Sequence, residues 1–134
     1  MYKRLAHIGI AVKSMEASSA IFSKLFGLTG SHPEEVADQK VKVRFFNIGE
    51  AGVELLEATA PDSPIARFIE KRGQGVHHLS FEVDDVEAEI SRLEKDGFQM
   101  IDEKPRVGAD GYRVAFLHPK STNGVLVEIS QRIR

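Results

Sequence analysis

One stretch of this chain repeats another, and that repeat limits the possible folds more than any other feature. With His7 set against His78, His7-Ile-Gly-Ile-Ala-Val-Lys-Ser-Met-Glu-Ala17 runs beside His78-Leu-Ser-Phe-Glu-Val-Asp-Asp-Val-Glu-Ala88. In that register Val12 meets Val83, Glu16 meets Glu87 and Ala17 meets Ala88, and Ile8 and Ile10 fall beside Leu79 and Phe81. Further along, Gly52-Val-Glu-Leu55 falls beside Leu126-Val-Glu-Ile129. Self-similarity of this kind marks one supersecondary unit used twice. The chain therefore reads as two β/α/β modules of similar order, about residues 1–60 and 76–134.

Each module has the same local grammar. Its opening run alternates apolar with small or polar residues, as a half-buried strand does. A helix follows, capped by Ser14 in the first copy and by Asp84 in the second, where Glu87 stands three residues on in capping-box spacing. Met15, Phe22 and Phe26 make the apolar face of the first helix, and Val86, Ile90 and Leu93 that of the second. Gly27 and Gly97 stand where each helix should stop. Strands are expected at Val41–Ile48 and Val53–Ala58, with counterparts at Tyr112–Leu117 and Val125–Ser130. Between the copies, residues 62–73 carry a cap, Pro64 in the first turn and Gly73 at the end, and read as a connecting helix.

Composition narrows the function. The 134 residues fit one domain, 1–134, and 42% apolar against 28% charged residues suffices for a core and a solvated exterior. Twenty acidic and 18 basic residues give a formal charge of −2, with no block of like charge and no interleaving of aromatic and basic residues. Nucleic acid and anionic membrane are excluded as partners on that ground. There is no cysteine, so any metal must be held by imidazole and carboxylate. The opening Met1-Tyr-Lys-Arg-Leu-Ala-His-Ile-Gly-Ile-Ala-Val12 is too short an apolar run for a signal peptide, and a cytoplasmic location is expected.

Alternation along the opening strands decides which histidine faces which way. Ile8, Ile10 and Val12 share one face, leaving His7, Gly9 and Ala11 on the other. His77, Leu79, Phe81 and Val83 share a face in the second copy, leaving His78, Ser80 and Glu82 opposite. His78, not His77, is thus the counterpart of His7, and the repeat pairs Glu54 with Glu128 in the same way. A single strand histidine is ordinarily a hydrogen-bonded structural residue, and His77 and the loop residue His32 are read so. Matching His and Glu in both copies is another matter. Glu54 and Glu128 each interrupt an apolar run, where a carboxylate is costly without a cation or hydrogen-bond donors. If the copies pack about a pseudo-twofold axis, two imidazoles and two carboxylates converge. Such a set suits one divalent ion, Co²⁺ first and then Zn²⁺, Ni²⁺, Mn²⁺ or Fe²⁺, with positions open to a chelating substrate. The run Gln39–Arg44 reads as a solvated face, and Glu16 and Glu87 as helix-surface residues.

His7, Glu54, His78 and Glu128 on paired modules resemble the vicinal oxygen chelate (glyoxalase, bleomycin resistance, dioxygenase) superfamily. Several stretches are similar to its methylmalonyl-CoA epimerase family. They are Gly52-Val-Glu-Leu-Leu-Glu57, Asp62-Ser-Pro-Ile-Ala-Arg67, Gly75-Val-His-His78, Glu82-Val-Asp-Asp85, Asp102-Glu-Lys-Pro-Arg106 and Gly108-Ala-Asp-Gly111. Phe116-Leu-His-Pro-Lys120 before Gly124-Val-Leu-Val-Glu128 is the most specific. Glyoxalases and ring-cleaving dioxygenases usually show an Asp-Pro-(Asp)-Gly turn there.

The resemblance implies an α+β fold of two tandem βαβββ modules, whose eight strands form a curled mixed sheet around a metal-containing cleft. It also implies a homodimer and an acyl-CoA substrate. The implied reaction interconverts (2R)- and (2S)-methylmalonyl-CoA through a metal-stabilised enolate, with Glu128 as base. Some epimerases of the family carry a further Glu on the strand after the first helix. That stretch here is Val41-Lys-Val-Arg44, with Val43 nearest the position, so Glu54 is offered as the second acid/base group. His118 and Lys120 are candidates for contact with the substrate's carboxylate or phosphates. Two alternatives stay open: a glyoxalase I-like lactoylglutathione lyase, and a non-enzymatic small-molecule-binding protein of the same fold.

Overall fold

The computed structural model describes residues 1–133; Arg134, the last residue of the expected domain, and the side chain of Asp110 lie outside that description. Among the described residues, eight strands and three α-helices follow one another as β1 (Tyr2–Ala11), α1 (Met15–Phe26), β2 (Glu34–Val36), β3 (Val41–Ile48), β4 (Ala51–Ala58), α2 (Pro64–Arg72), β5 (Gly75–Val83), α3 (Val86–Lys95), β6 (Arg106–Val107), β7 (Tyr112–Leu117) and β8 (Val127–Arg132). The strands form a mixed sheet in the order β2-β3-β4-β1-β5-β8-β7-β6. Among the described residues, no helix is long and apolar enough to cross a membrane.

By contacts the chain divides into two compact units, and these differ from the two sequence copies. One unit runs from Ile8 to His77; the other joins Met1–His7 to the residues from His78 onwards. The division cuts through β1 and β5, so the first seven residues of the chain belong with the second copy. Tyr2 packs edge-on against Phe81 at 6.1 Å, the Asp84 N–H donates to the Met1 carbonyl, and Arg4 bonds Glu82.

In the unit spanning Ile8–His77, Ser14 caps α1 by accepting from the Ala17 N–H, and Gly27 ends the helix in the left-handed region at φ 68°. Val12, Met15, Phe46 and Leu55 form the core, with Phe22 and Phe26 packed against it. Strands β3 and β4 pair in antiparallel register, setting Phe45 opposite Glu54 and Val43 opposite Leu56. The stretch Gln39–Arg44 is not a solvated face. Val41 and Val43 are 6% and 2% exposed, because β3 begins there and alternation sends every second side chain inward. Ser63 caps α2 ahead of Pro64, and Gly73 closes it.

In the other unit, Val86, Ile90 and Leu93 of α3 pack with Val83, Met100, Ala115, Leu117 and Ile129. The α3 cap is Asp85 rather than Asp84: Asp85 Oδ1 accepts from the Ala88 N–H at 3.1 Å, and the helix starts one residue later than expected. Asp84 instead holds the chain's first residue through its backbone N–H, with its carboxylate 3.9 Å from the terminal amine. Strand β8 starts at Val127, after a turn that takes up Val125. It pairs parallel with β5 and antiparallel with β7.

Candidate functional site

Three of the residues singled out in the sequence meet within the unit that joins Met1–His7 to His78 and beyond. His7 Nε2 and His78 Nε2 lie 3.0 Å apart, their rings edge-on at 83°. Glu128 Oε1 lies 3.4 Å from His7 Nε2 and 4.0 Å from His78 Nε2. His78 is only 3% exposed and Glu128 6%, while His7 is half-buried. Strand pairing fixes two of the three. Glu128 stands opposite Phe116 on β7, and the Phe116 ring packs edge-on against His78 at 5.5 Å.

The donor set can be tested against a metal ion. Two ligands held at about 2.1 Å from one ion can be no more than about 4.2 Å apart. The three separations here, 3.0, 3.4 and 4.0 Å, all satisfy that bound. Two imidazole nitrogens and a carboxylate oxygen aimed at one point, in surroundings this dry, suit a divalent cation of the nitrogen- and oxygen-binding kind. The residues fit.

The remaining candidates are placed as follows. Glu54 lies on β4 in the other unit, 6% exposed between Val53 and Leu55. His77 turns away from His78, and its ring packs edge-on against Phe68 of α2 at 4.9 Å. His118 and Lys120 sit in a short 3-10 turn, where His118 Nδ1 accepts from the Lys120 N–H at 3.1 Å. That hydrogen bond gives His118 a structural task, and Lys120 is exposed. His32 is exposed in its loop. Val43, at 2% exposure, is an apolar core residue.

Sequence reasoning missed two further groups on the strands that carry His78 and Glu128. Ser80 and Ser130, 0% and 1% exposed, bring their hydroxyls to 3.5 Å, and Ser130 Oγ donates to the Phe81 carbonyl. Beyond them, Arg4 Nε donates to the buried carboxylate of Glu82 at 2.8 Å, and Lys3 Nζ approaches the same group at 3.8 Å. The alternation His78, Ser80, Glu82 was the available signal, but nothing local marked Arg4 as the distant partner.

A sequence model of the glyoxalase/bleomycin resistance protein/dioxygenase superfamily matches residues 6–116. The chain belongs to that superfamily. The ethylmalonyl-CoA/methylmalonyl-CoA epimerase of Cereibacter sphaeroides is 39% identical over 133 residues, covering 98% of this chain and 99% of the relative. Human mitochondrial methylmalonyl-CoA epimerase is 39% identical over 129 residues, covering 96% of this chain and 73% of the relative. Among solved structures, a variant of Streptomyces coelicolor methylmalonyl-CoA epimerase in complex with 2-nitronate-propionyl-CoA superposes with a TM-score of 0.96 at 32% identity, each chain covered fully.

Proposed function

We propose that this chain is a metal-dependent isomerase that interconverts the (2R) and (2S) forms of methylmalonyl-CoA. The observation that carries this reading is the convergence of His7, His78 and Glu128, in a chain that matches epimerases of this substrate almost end to end. His7, His78 and Glu128 would hold one divalent cation, and the sequence repeat offers Glu54 as a further ligand. When bound, that ion supplies a Lewis acid that the thioester and carboxylate oxygens of the substrate can chelate together.

The chain's own residues supply the rest. Glu128 is the base: its carboxylate is buried, so few waters compete for it, and one oxygen already points at the ligand cluster. Inversion requires a proton removed on one side of the α-carbon and another delivered on the opposite side. The repeat offers Glu54 as the second carboxylate, while Val43, at the position where some epimerases carry a glutamate, is a buried apolar residue with no proton to give or take. Phe116 holds the His78 ring edge-on and restricts its rotation, keeping Nε2 aimed inward.

The test is direct. A single epimer of methylmalonyl-CoA, incubated with Co²⁺-loaded protein, should pass to an equal mixture of both, followed by an enzyme specific for one of them. Turnover of the methylglyoxal–glutathione hemithioacetal instead, with methylmalonyl-CoA left unchanged, would replace this reading by a lactoylglutathione lyase.

A further inference from the structure

Resting on the metal site proposed above, we propose that Arg106 is a positioning residue for that site, acting through the ring of Phe116 on the imidazole of His78. The Arg106 guanidinium lies over the Phe116 ring, 5.6 Å from its centre, within the range of a cation–π contact. The same ring packs edge-on against His78, 5.5 Å away at 86°. Asp102 ties the two ends of this stack together. Its Oδ2 accepts from the Phe116 N–H at 2.9 Å, and its Oδ1 lies 3.6 Å from Arg106 Nη1. The Phe116 carbonyl is held in turn by the N–H groups of Ile101 and Asp102, at 2.8 and 3.3 Å. Backbone and ring of one residue are thus fixed from the same short segment, 101–106.

Strand pairing tells which side of the sheet this clamp serves. Arg106 stands opposite Val114 on β7, Phe116 opposite Glu128 on β8, and Glu128 beside Ser80 on β5. Opposed residues share a face, and every second residue of a strand returns to it. Arg106, Phe116, Glu128 and His78 therefore lie on one face, with Arg106 the diagonal neighbour of Phe116. The core beneath α3 draws instead on Ala115 and Leu117, which flank Phe116 and face the other way. The clamp thus bears on the ligand cluster and not on that core. Phe116 is only half-buried, and the flat guanidinium over it restricts a ring that solvent would otherwise reach. A ligating nitrogen must stay within about 0.5 Å of its working position, so groups that fix its ring tune metal affinity.

Calorimetric titration of the metal-free protein with Co²⁺ tests this without any turnover. Arg106→Gln should bind Co²⁺ about fivefold more weakly than the parent. Its melting temperature without metal should stay within about 2 °C of the parent's, as for the loss of a solvent-accessible ion pair. Phe116→Leu should weaken binding about tenfold by itself. Adding Arg106→Gln to Phe116→Leu should then cost nothing more, since the ring through which the arginine acts has gone. If the parent binds Co²⁺ and shows these differences but epimerises nothing, the positioning role stands and the reaction assignment fails. Equal Co²⁺ affinity in parent and Arg106→Gln, with or without a lower melting temperature, would leave the arginine a structural residue only and overturn the proposal. So would a full fivefold loss from Arg106→Gln in the Phe116→Leu background, or a parent that binds no Co²⁺.

Discussion

Replacing His78 and His77 by alanine in turn should produce opposite defects, although the two residues are adjacent. His78 has its Nε2 3.0 Å from that of His7, whereas His77 packs edge-on against Phe68. A cation at a hundred times its dissociation constant stabilises the folded state by about 2.7 kcal/mol. For a chain of 134 residues, with unfolding entropy near 2.1 cal/mol/K per residue, that corresponds to a Tm increase of about 10 °C. His77→Ala loses one aromatic edge contact, about 1 kcal/mol, and should melt about 4 °C lower without metal. Its increment on adding Co²⁺ should nevertheless match the parent's. His78→Ala should lose the increment itself: a hundredfold weaker site retains only about 0.4 kcal/mol, or about 1.5 °C. Scanning calorimetry of three proteins with and without Co²⁺ decides the matter. A full increment in His78→Ala, or its loss in His77→Ala, would place the strand register one residue out.

Glu128→Gln should keep most of the Co²⁺ increment, since an amide oxygen can still ligate. Its α-proton exchange should fall by roughly 10²- to 10⁴-fold, and near-parent turnover at full metal occupancy would remove Glu128 from the base role. Glu54→Gln should be asymmetric, with one epimer still exchanging its α-proton while inversion stalls; equal exchange losses from both epimers would leave Glu54 as a ligand only. The stability of the α3 region should depend on acid through Glu89, whose carboxyl the paired Arg92 contacts at 2.6 and 3.1 Å hold below the ordinary carboxylate range. A lowered folded-state value means stabilisation present above the unfolded carboxylate pKa and lost as pH falls through the folded one. Glu89→Gln should therefore melt lower than the parent at neutral pH, with the difference closing in acid; a gap that stays constant down to pH values below the carboxylate range would refute the pairing.

Much of this was legible because the repeat carries positional information that no single segment holds. Alternation separated His78 from His77, and β3 and β7 fall at the expected residues because both are bounded by turn residues and carry clear inward valines. The repeat register also pairs Ser14 with Asp85, the true cap of α3, but the capping-box spacing from Asp84 to Glu87 pointed one residue early. Strands β2 and β6, of three and two residues, are too short to show any period and exist through pairing with β3 and β7. The Arg4–Glu82 and Arg4–Tyr112 contacts join residues 78 and 108 positions apart, and composition says nothing about such pairs. The division of the chain into units was hidden for the same reason, since the start of β1 is assigned by contacts to the far end of the sequence.

The proposed activity meets its most direct test in heavy water. A single epimer of methylmalonyl-CoA, mixed with Co²⁺-loaded protein in deuterium oxide, should gain deuterium at the α-carbon as the other epimer accumulates. Chelation of the metal should stop both processes together. Loaded protein that leaves the α-proton in place, with no second epimer formed, would contradict the assignment.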